Sequence, residues 1–270
     1  MVEITTKYKI GSRRFGLVNW IGVWTLYKKE VLRFLVVWIQ TIFSPIVTSL
    51  LFLLVLSLAI GGERGNVLGV SFISFLAPGL IAMQVIQQAF SHSASSFMIK
   101  KIDGSIVDVL YAPLSAGEVT FAIIFSAVSR SIMIAFISII VFYFVIEIVV
   151  RDYFILIMYT FLSSFILGAT GMIAGLWAEK FDHMATVTNF IIVPLSFLSG
   201  TFYTIDRLPN ILQIISKANP FFYMIDGFRY GFIDKADSSI FIGLIYLSIL
   251  SVVLWFVSYI LLKNGYKTKS

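Results

Sequence analysis

The sequence contains no cysteine, which excludes disulfides and thiolate metal sites. Its two histidines, His92 and His183, lie far apart, so no metal-ligand spacing forms. Charge is scarce as well. Only 13% of residues are charged, against roughly 25% in soluble domains, while 59% are hydrophobic, against roughly 45–50%. A soluble core of this length cannot hide so much Phe, Ile and Leu behind so few charges, whereas lipid solvates apolar side chains directly. Catalytic signatures are also missing: there is no G-x-x-x-x-G-K-[ST] loop to cradle nucleotide phosphates, no H-E-x-x-H and no G-x-S-x-G. The acids fall almost entirely between the apolar runs, so no intramembrane acid pair is available. The chain reads as a non-enzyme without a cofactor of its own.

What is present is apolar length. Crossing roughly 30 Å of hydrocarbon takes about 20 helical residues, and six runs qualify, near 34–60, 67–90, 119–146, 153–177, 184–203 and 240–262. Pro194 breaks the fifth. The expected fold is an all-α membrane protein with six transmembrane helices, an N-terminal amphipathic interface helix and short re-entrant outer helices. Its domains are a cytoplasmic N-terminus at 1–33, a transmembrane domain at 34–262 and a cytoplasmic tail at 263–270. Residues 1–14 are polar, so no signal peptide is read.

The net charge of +6 is scattered between the runs, which suits topology rather than nucleic acid. With the N-terminus inside, the inner segments hold Lys7, Lys9, Arg13, Arg14, Lys28, Lys29, Arg33, Lys100, Lys101, Lys180, Lys263, Lys267 and Lys269. The outer segments then hold Arg64, Arg151, Arg207, Lys217, Arg229 and Lys235. The excess of basic residues inside places both termini in the cytoplasm.

Three stretches outside the runs carry information. In residues 15–33, Leu17, Trp20, Ile21, Trp24, Tyr27 and Val31 share a helical face, opposite Asn19, Lys29, Glu30 and Arg33. That pattern describes either a surface anchor or a collar against a cytoplasmic partner. In the loop from Lys100 to Glu118, Asp103 is expected to cap a short helix carrying Ile106, Val107, Val109 and Leu110, which Pro113 ends. Its apolar face needs a cover, from the chain's own helix ends or from a partner. A second inner loop, Glu179 to His183, reads as a solvated turn. The third stretch, 194–232, is too apolar for a loop, yet Gly200, Pro209 and Pro220 interrupt it. Pro209 starts one short helix and Asn219-Pro220 another, with Asp226 and Arg229 spaced for an ion pair at i, i+3.

Arg130 is the notable ionisable residue within a run. It either lines a substrate path or subunit interface, or it snorkels to the inner headgroups or hydrogen-bonds Ser126 and Ser129. Gly168, Gly171 and Gly175 allow a neighbouring helix to approach, most simply within the subunit. Pro45, Pro78 and Gly79 are positioned to bend the first two spans.

The segment Pro194-Leu-Ser-Phe-Leu-Ser-Gly200-Thr-Phe202-Tyr203, then Leu208-Pro209, then Asn219-Pro220-Phe-Phe-Tyr-Met-Ile-Asp226-Gly-Phe-Arg229-Tyr-Gly231, resembles the signature of ABC-2 type permeases. Ala77-Pro78-Gly79-Leu80 and Ala112-Pro113-Leu114-Ser115 extend the likeness along nearly the whole chain, toward the YadH-like group of bacterial inner-membrane permeases. This resemblance implies an exporter subunit. Two six-helix permease subunits, most simply a homodimer, form the pathway, and two separate P-loop ATPase subunits carry ATP and Mg. The interface helix with Trp20, Trp24, Lys29 and Arg33 would meet the ATPase, and Lys101, Asp103, Gly104, Ile106, Val107, Leu110 and Pro113 would form the coupling loop. Pro194, Gly200, Phe202, Tyr203, Pro209, Asn219, Pro220, Asp226 and Arg229 would form the outer gate. With no large extracellular domain and few charges in the runs, a lipid-like, drug-like or glycan cargo fits better than a strongly ionic one. An ATP-independent carrier or channel is the alternative.

Overall fold

The structure, a computed structural model, describes residues 16–64 and 66–267. Lys7, Lys9, Arg13, Arg14 and Lys269, and the side chains of Arg64 and Arg207, lie outside the described residues. Among the described residues, six helices are long and apolar enough to cross a membrane: Ile39–Ala59, Phe72–Ile102, Ala116–Ile146, Tyr153–Trp177, Phe181–Leu198 and Ile240–Lys263.

In chain order, α1 (Trp20–Val36) precedes the first span, which opens with a π turn (Ile39–Phe43) and continues as α2 (Ser44–Arg64). The second span is α3 (Phe72–Ile102), followed by the six-residue α4 (Ile106–Tyr111). The third and fourth spans are α5 (Ala116–Ile146) and α6 (Tyr153–Trp177). The fifth joins α7 (Phe181–Val187), a second π turn (Thr188–Ile192) and α8 (Val193–Leu198). After it come α9 (Asn210–Ala218) and α10 (Pro220–Ile233), and α11 (Ile240–Lys263) is the sixth span.

Local chemistry sets these boundaries. Asn19 caps α1 by accepting from the Gly22 N–H, and Asp152 caps α6 by accepting from Ile155. Ser115 and Glu118 form a reciprocal capping box at the start of α5. Asn219 caps α10 with Pro220 as its first residue, where a missing N–H costs nothing. The π turns share one cause: Pro45 and Pro194 each stand two residues past a π turn. A proline ring clashes with the carbonyl four residues back, and the wider turn gives that carbonyl room.

Two boundaries differ from expectation. Asn66–Val67 and Val70–Ser71 pair as a two-stranded antiparallel hairpin, so the second span begins at Phe72 rather than near 67. The left-handed turn at Leu68 and Gly69 closes the hairpin. At its other end α3 continues to Ile102, which puts Lys100 and Lys101 in its last turn rather than in a loop.

α3 is the spine. It packs against α2, α5, α6 and α10, and every residue from Phe75 to Ile86 is buried, Gln84 being the polar one among them. Gly171 and Gly175 make the α3–α6 seam possible, since a Cβ on either would press on the carbonyl of Phe90 or Ala94. The small-residue spacing serves packing within the subunit. One apolar cluster joins α3, α6 and α10 around Phe75, Leu80, Phe90, Tyr159 and Phe228. A second joins α1, α3, α4, α5 and α6 around Val23, Leu26, Phe97, Ile106 and Ile123.

Candidate functional site

At one end of the bundle, α4 lies between the end of α3 and the start of α5. It buries Ile106 and Val109 among the helix ends while Val107, Leu110 and Tyr111 stay exposed. The chain's own helices therefore cover only half of its apolar surface. Asp103 does not cap α4. Its carboxylate accepts from the Ser105 N–H at 2.9 Å, in an Asx turn that ends α3, and Ser105 precedes α4 without a capping side chain. The Ser105 side chain first, and this N–H second, hold the exposed Asp103 carboxyl below its ordinary value. Gly104 takes φ +75°, which only glycine adopts cheaply. Lys101 turns inward: its amine donates to the Leu176 carbonyl at 2.7 Å and to that of Ala178, closing the C-terminus of α6. The Pro113 carbonyl accepts from the Asn19 side chain at 3.0 Å, and Glu118 binds the Asn19 N–H, so α1 is stitched to the loop. A cleft of about 310 Å³ runs between them, lined by Gly22, Leu26, Lys29, Asp108 and Leu114 among others. In the neighbouring turn Glu179 pairs with Lys267 at 2.7 Å.

α1 exposes Trp20, Ile21 and Trp24, as its amphipathic pattern predicts, and Lys29 is exposed. Its other face corrects the sequence reading. Glu30, expected among the polar surface residues, is 1% exposed. It pairs with Lys100 of α3 and with Arg33 at 3.0 Å. Burial pushes the Glu30 carboxyl up, but Lys100 and Arg33 outweigh it and hold it lowered to about 2. Arg33 reaches on to the His92 carbonyl at 3.0 Å and the Ser95 hydroxyl at 3.2 Å.

This cluster begins a polar file that sequence reading missed, although its signal was a four-residue period: Gln84, Gln88, His92, Ser96 and Lys100 occupy one side of α3. His92 Nε2 lies 2.8 Å from Ser126 Oγ, and the Ser126 hydroxyl donates to the Ile123 carbonyl. Arg130 joins the file rather than snorkelling. It is 7% exposed and donates to Gln88, while Ser126 is held by His92 and Ser129 by Tyr27 at 2.7 Å. At the edge of the file Gln88 is half-buried, and beside it Gln87 and Ser95 are half-buried and Ser91 is exposed, a polar strip on a membrane span.

At the opposite end, 194–232 folds back on the bundle. Gly200, at φ +75°, turns the chain after α8, and Tyr203 donates to the Leu198 carbonyl at 2.9 Å. Phe202 stacks on Phe197 with 5.3 Å between ring centroids. Pro209 precedes α9, and the Asn219 side chain reaches Ser199 at 2.8 Å. The expected Asp226–Arg229 ion pair is absent: neither residue has a charged partner within the 4.0 Å seen for the longest ion pair among the described residues. Each serves backbone instead. Asp226 accepts from Asp237 N and Ser238 N, both at 2.9 Å, and from the Ser238 hydroxyl at 2.7 Å, pinning the turn before α11. Arg229 donates to the Gly200 carbonyl at 2.6 Å, with its guanidinium 4.0 Å over the Phe75 ring. Gly79 makes room, since a Cβ there would come within 2.8 Å of the Thr201 carbonyl. Burial raises the Asp226 carboxyl despite these bonds and the nearby Arg229. α10 is thus buried on its charged side as well as its phenylalanine side, because both sides meet protein.

Known proteins resemble the chain over nearly its full length. The Escherichia coli protein "Inner membrane transport permease YadH" is 29% identical over 246 residues, covering 91% of this chain and 96% of that one. "Nodulation protein J" of Neorhizobium galegae is 24% identical over 255 residues, covering 92% and 94%. The same-named protein of Sinorhizobium fredii is 22% identical over 247 residues, covering 91% and 93%. The family model described as "ABC-2 type transporter" matches residues 22–233, from the first turns of α1 to the end of α10. With six spans and a match of that extent, the chain is a multi-pass transport permease and belongs to the ABC-2 type transporter family.

Proposed function

We propose that the chain is the permease subunit of an exporter in the bacterial inner membrane, with both termini cytoplasmic. It forms the pathway with a second permease subunit, most simply a copy of itself. Two separate P-loop ATPase subunits, which carry ATP and Mg, dock at α1 and α4 and drive a lipid-like, drug-like or glycan cargo outward. Residues 1–33 and 263–270 are the cytoplasmic segments of this arrangement, and 194–232 is its outer gate.

One observation supports the reading most directly. α4 leaves Val107, Leu110 and Tyr111 uncovered at a bundle end, on a loop fastened to α1 through Asn19 and Glu118. An apolar surface on a short, rigidly held helix suits a cleft in a partner, which turns closure of that partner into helix movement.

The test is a detergent pull-down of the tagged chain co-expressed with P-loop proteins from neighbouring reading frames. A co-purifying ATPase, lost when 103–115 is replaced by Gly-Ser, is the expected result. Transport by the purified chain without any ATPase would overturn the reading in favour of an ATP-independent carrier or channel.

A further inference from the structure

The buried polar file carries more positive charge than it can neutralise. Lys100 and Arg130 are buried cations and Arg33 a third, partly exposed at the edge, and among the described residues Glu30 is the carboxylate placed with them. Glu30 is committed to Lys100 and Arg33. His92 adds no anion: its Nδ1 faces a guanidinium nitrogen of Arg33 at 3.5 Å, so its proton is assigned to Nε2, toward Ser126. Arg130 is therefore left with one neutral partner, Gln88, and its Nε has no hydrogen-bond partner. The charged side chain that bears on it is another cation, Arg33. A buried guanidinium without a counter-ion is costly in a membrane span.

The second observation is the surface beside it. Gln87, Gln88, Ser91 and Ser95 line one side of α3 and reach the surface of the chain about midway along a span. Polar groups at that depth face protein or a water-filled passage rather than lipid. Here the polar strip and the uncompensated cation adjoin, through Gln88.

We propose that Arg130, with Gln88 and the polar strip of α3, forms an anion-recognition site in the pathway wall, which takes the phosphate-type group of an amphipathic cargo. The anion supplies the missing counter-charge, and Arg130 Nε is the donor held for it. This deepens the exporter reading by naming a cargo class and rests on it for the word cargo, but the site itself is testable on the permease alone. It also departs from the expectation drawn from charge counts, because the relevant quantity is the imbalance within one buried group, not the number of charges in the spans.

The experiment uses the full chain in phosphatidylcholine nanodiscs, without nucleotide, titrated calorimetrically with dodecyl phosphate. Dodecyl phosphocholine and inorganic phosphate serve as comparison probes. Saturable binding of dodecyl phosphate is expected, weakened about tenfold or more by Arg130→Gln and largely kept by Arg130→Lys, as a charge-assisted hydrogen bond requires. Because Arg130→Gln removes a buried uncompensated charge, its melting temperature should not fall. Competition by inorganic phosphate at equal strength would assign recognition to a free anion; its absence assigns it to a headgroup carrying a chain. Equal binding of dodecyl phosphate by the wild type and Arg130→Gln would overturn the proposal, as would equal binding of the phosphocholine probe. Binding that depends on Arg130 in a chain that never couples to an ATPase would leave the site standing and remove the exporter reading.

Discussion

At the scale of single residues, Glu30 has the largest consequences. It is the buried partner of Lys100 on another helix, and removing one member of such a pair strands the other. Lys100→Met is expected to lower stability by about 3–5 kcal/mol, while Glu30→Gln with Lys100→Met recovers much of that loss. Thermal unfolding of the four proteins of this cycle, in one lipid, measures the difference. Acid should act on the same pair. A carboxyl held at about 2 when folded and near 4.5 when unfolded contributes stability that is complete above 4.5 and fades as pH falls toward 2. The loss is on the order of 3 kcal/mol, readable from Trp20 and Trp24 fluorescence as α1 leaves α3. Gly175→Ala is a separate case, since its Cβ would lie 2.6 Å from the Ala94 carbonyl. Crowding there should lower stability by about 1–3 kcal/mol in the same unfolding assay.

At the scale of elements, the two π turns distinguish the first and fifth spans from the others. Pro194→Ala removes the cause of the second turn. The expected outcome is a higher melting temperature together with slower nucleotide-driven transport in proteoliposomes, because a regular helix is stiffer where the span now yields. Much of this level was legible in the sequence. Proline at 209 and Asn219-Pro220 marked the starts of α9 and α10, and Pro113 the end of α4, since each acts through local backbone chemistry. The partners of charged side chains were not legible. A helical wheel separates Glu30 from Trp24 but cannot tell whether the polar side meets water or another helix. The i, i+3 spacing of Asp226 and Arg229 likewise suggested a pair, yet buried backbone groups at Asp237, Ser238 and Gly200 claimed both. The 66–71 hairpin was hidden for a different reason, because Val67, Leu68 and Val70 read as the start of an apolar run.

At the scale of the whole molecule, the proposed orientation can be tested with single cysteines, and a chain without native cysteine gives no background. Val107→Cys and Lys235→Cys both sit at exposed positions on opposite ends of the bundle. An impermeant maleimide should label the first only in inverted vesicles and the second only in intact cells with permeabilised outer membranes. The reverse pattern would place α4 outside and remove the surface proposed for an ATPase.

The lengths of α3 and α5 have one more consequence. Each has 31 residues, about 46 Å of helix, where hydrocarbon takes roughly 30 Å. Even with some tilt, the pair has length to spare, and α4 joins the two at one end. The arrangement has the mechanics of a crank: a few degrees of rotation applied at α4 reach mid-membrane as a displacement of an ångström or so, on the order set by an arm of roughly 16 Å. A partner grasping α4 needs only a small stroke, and the stiffness of two uninterrupted α3 and α5 seams carries it to the residues beside Arg130.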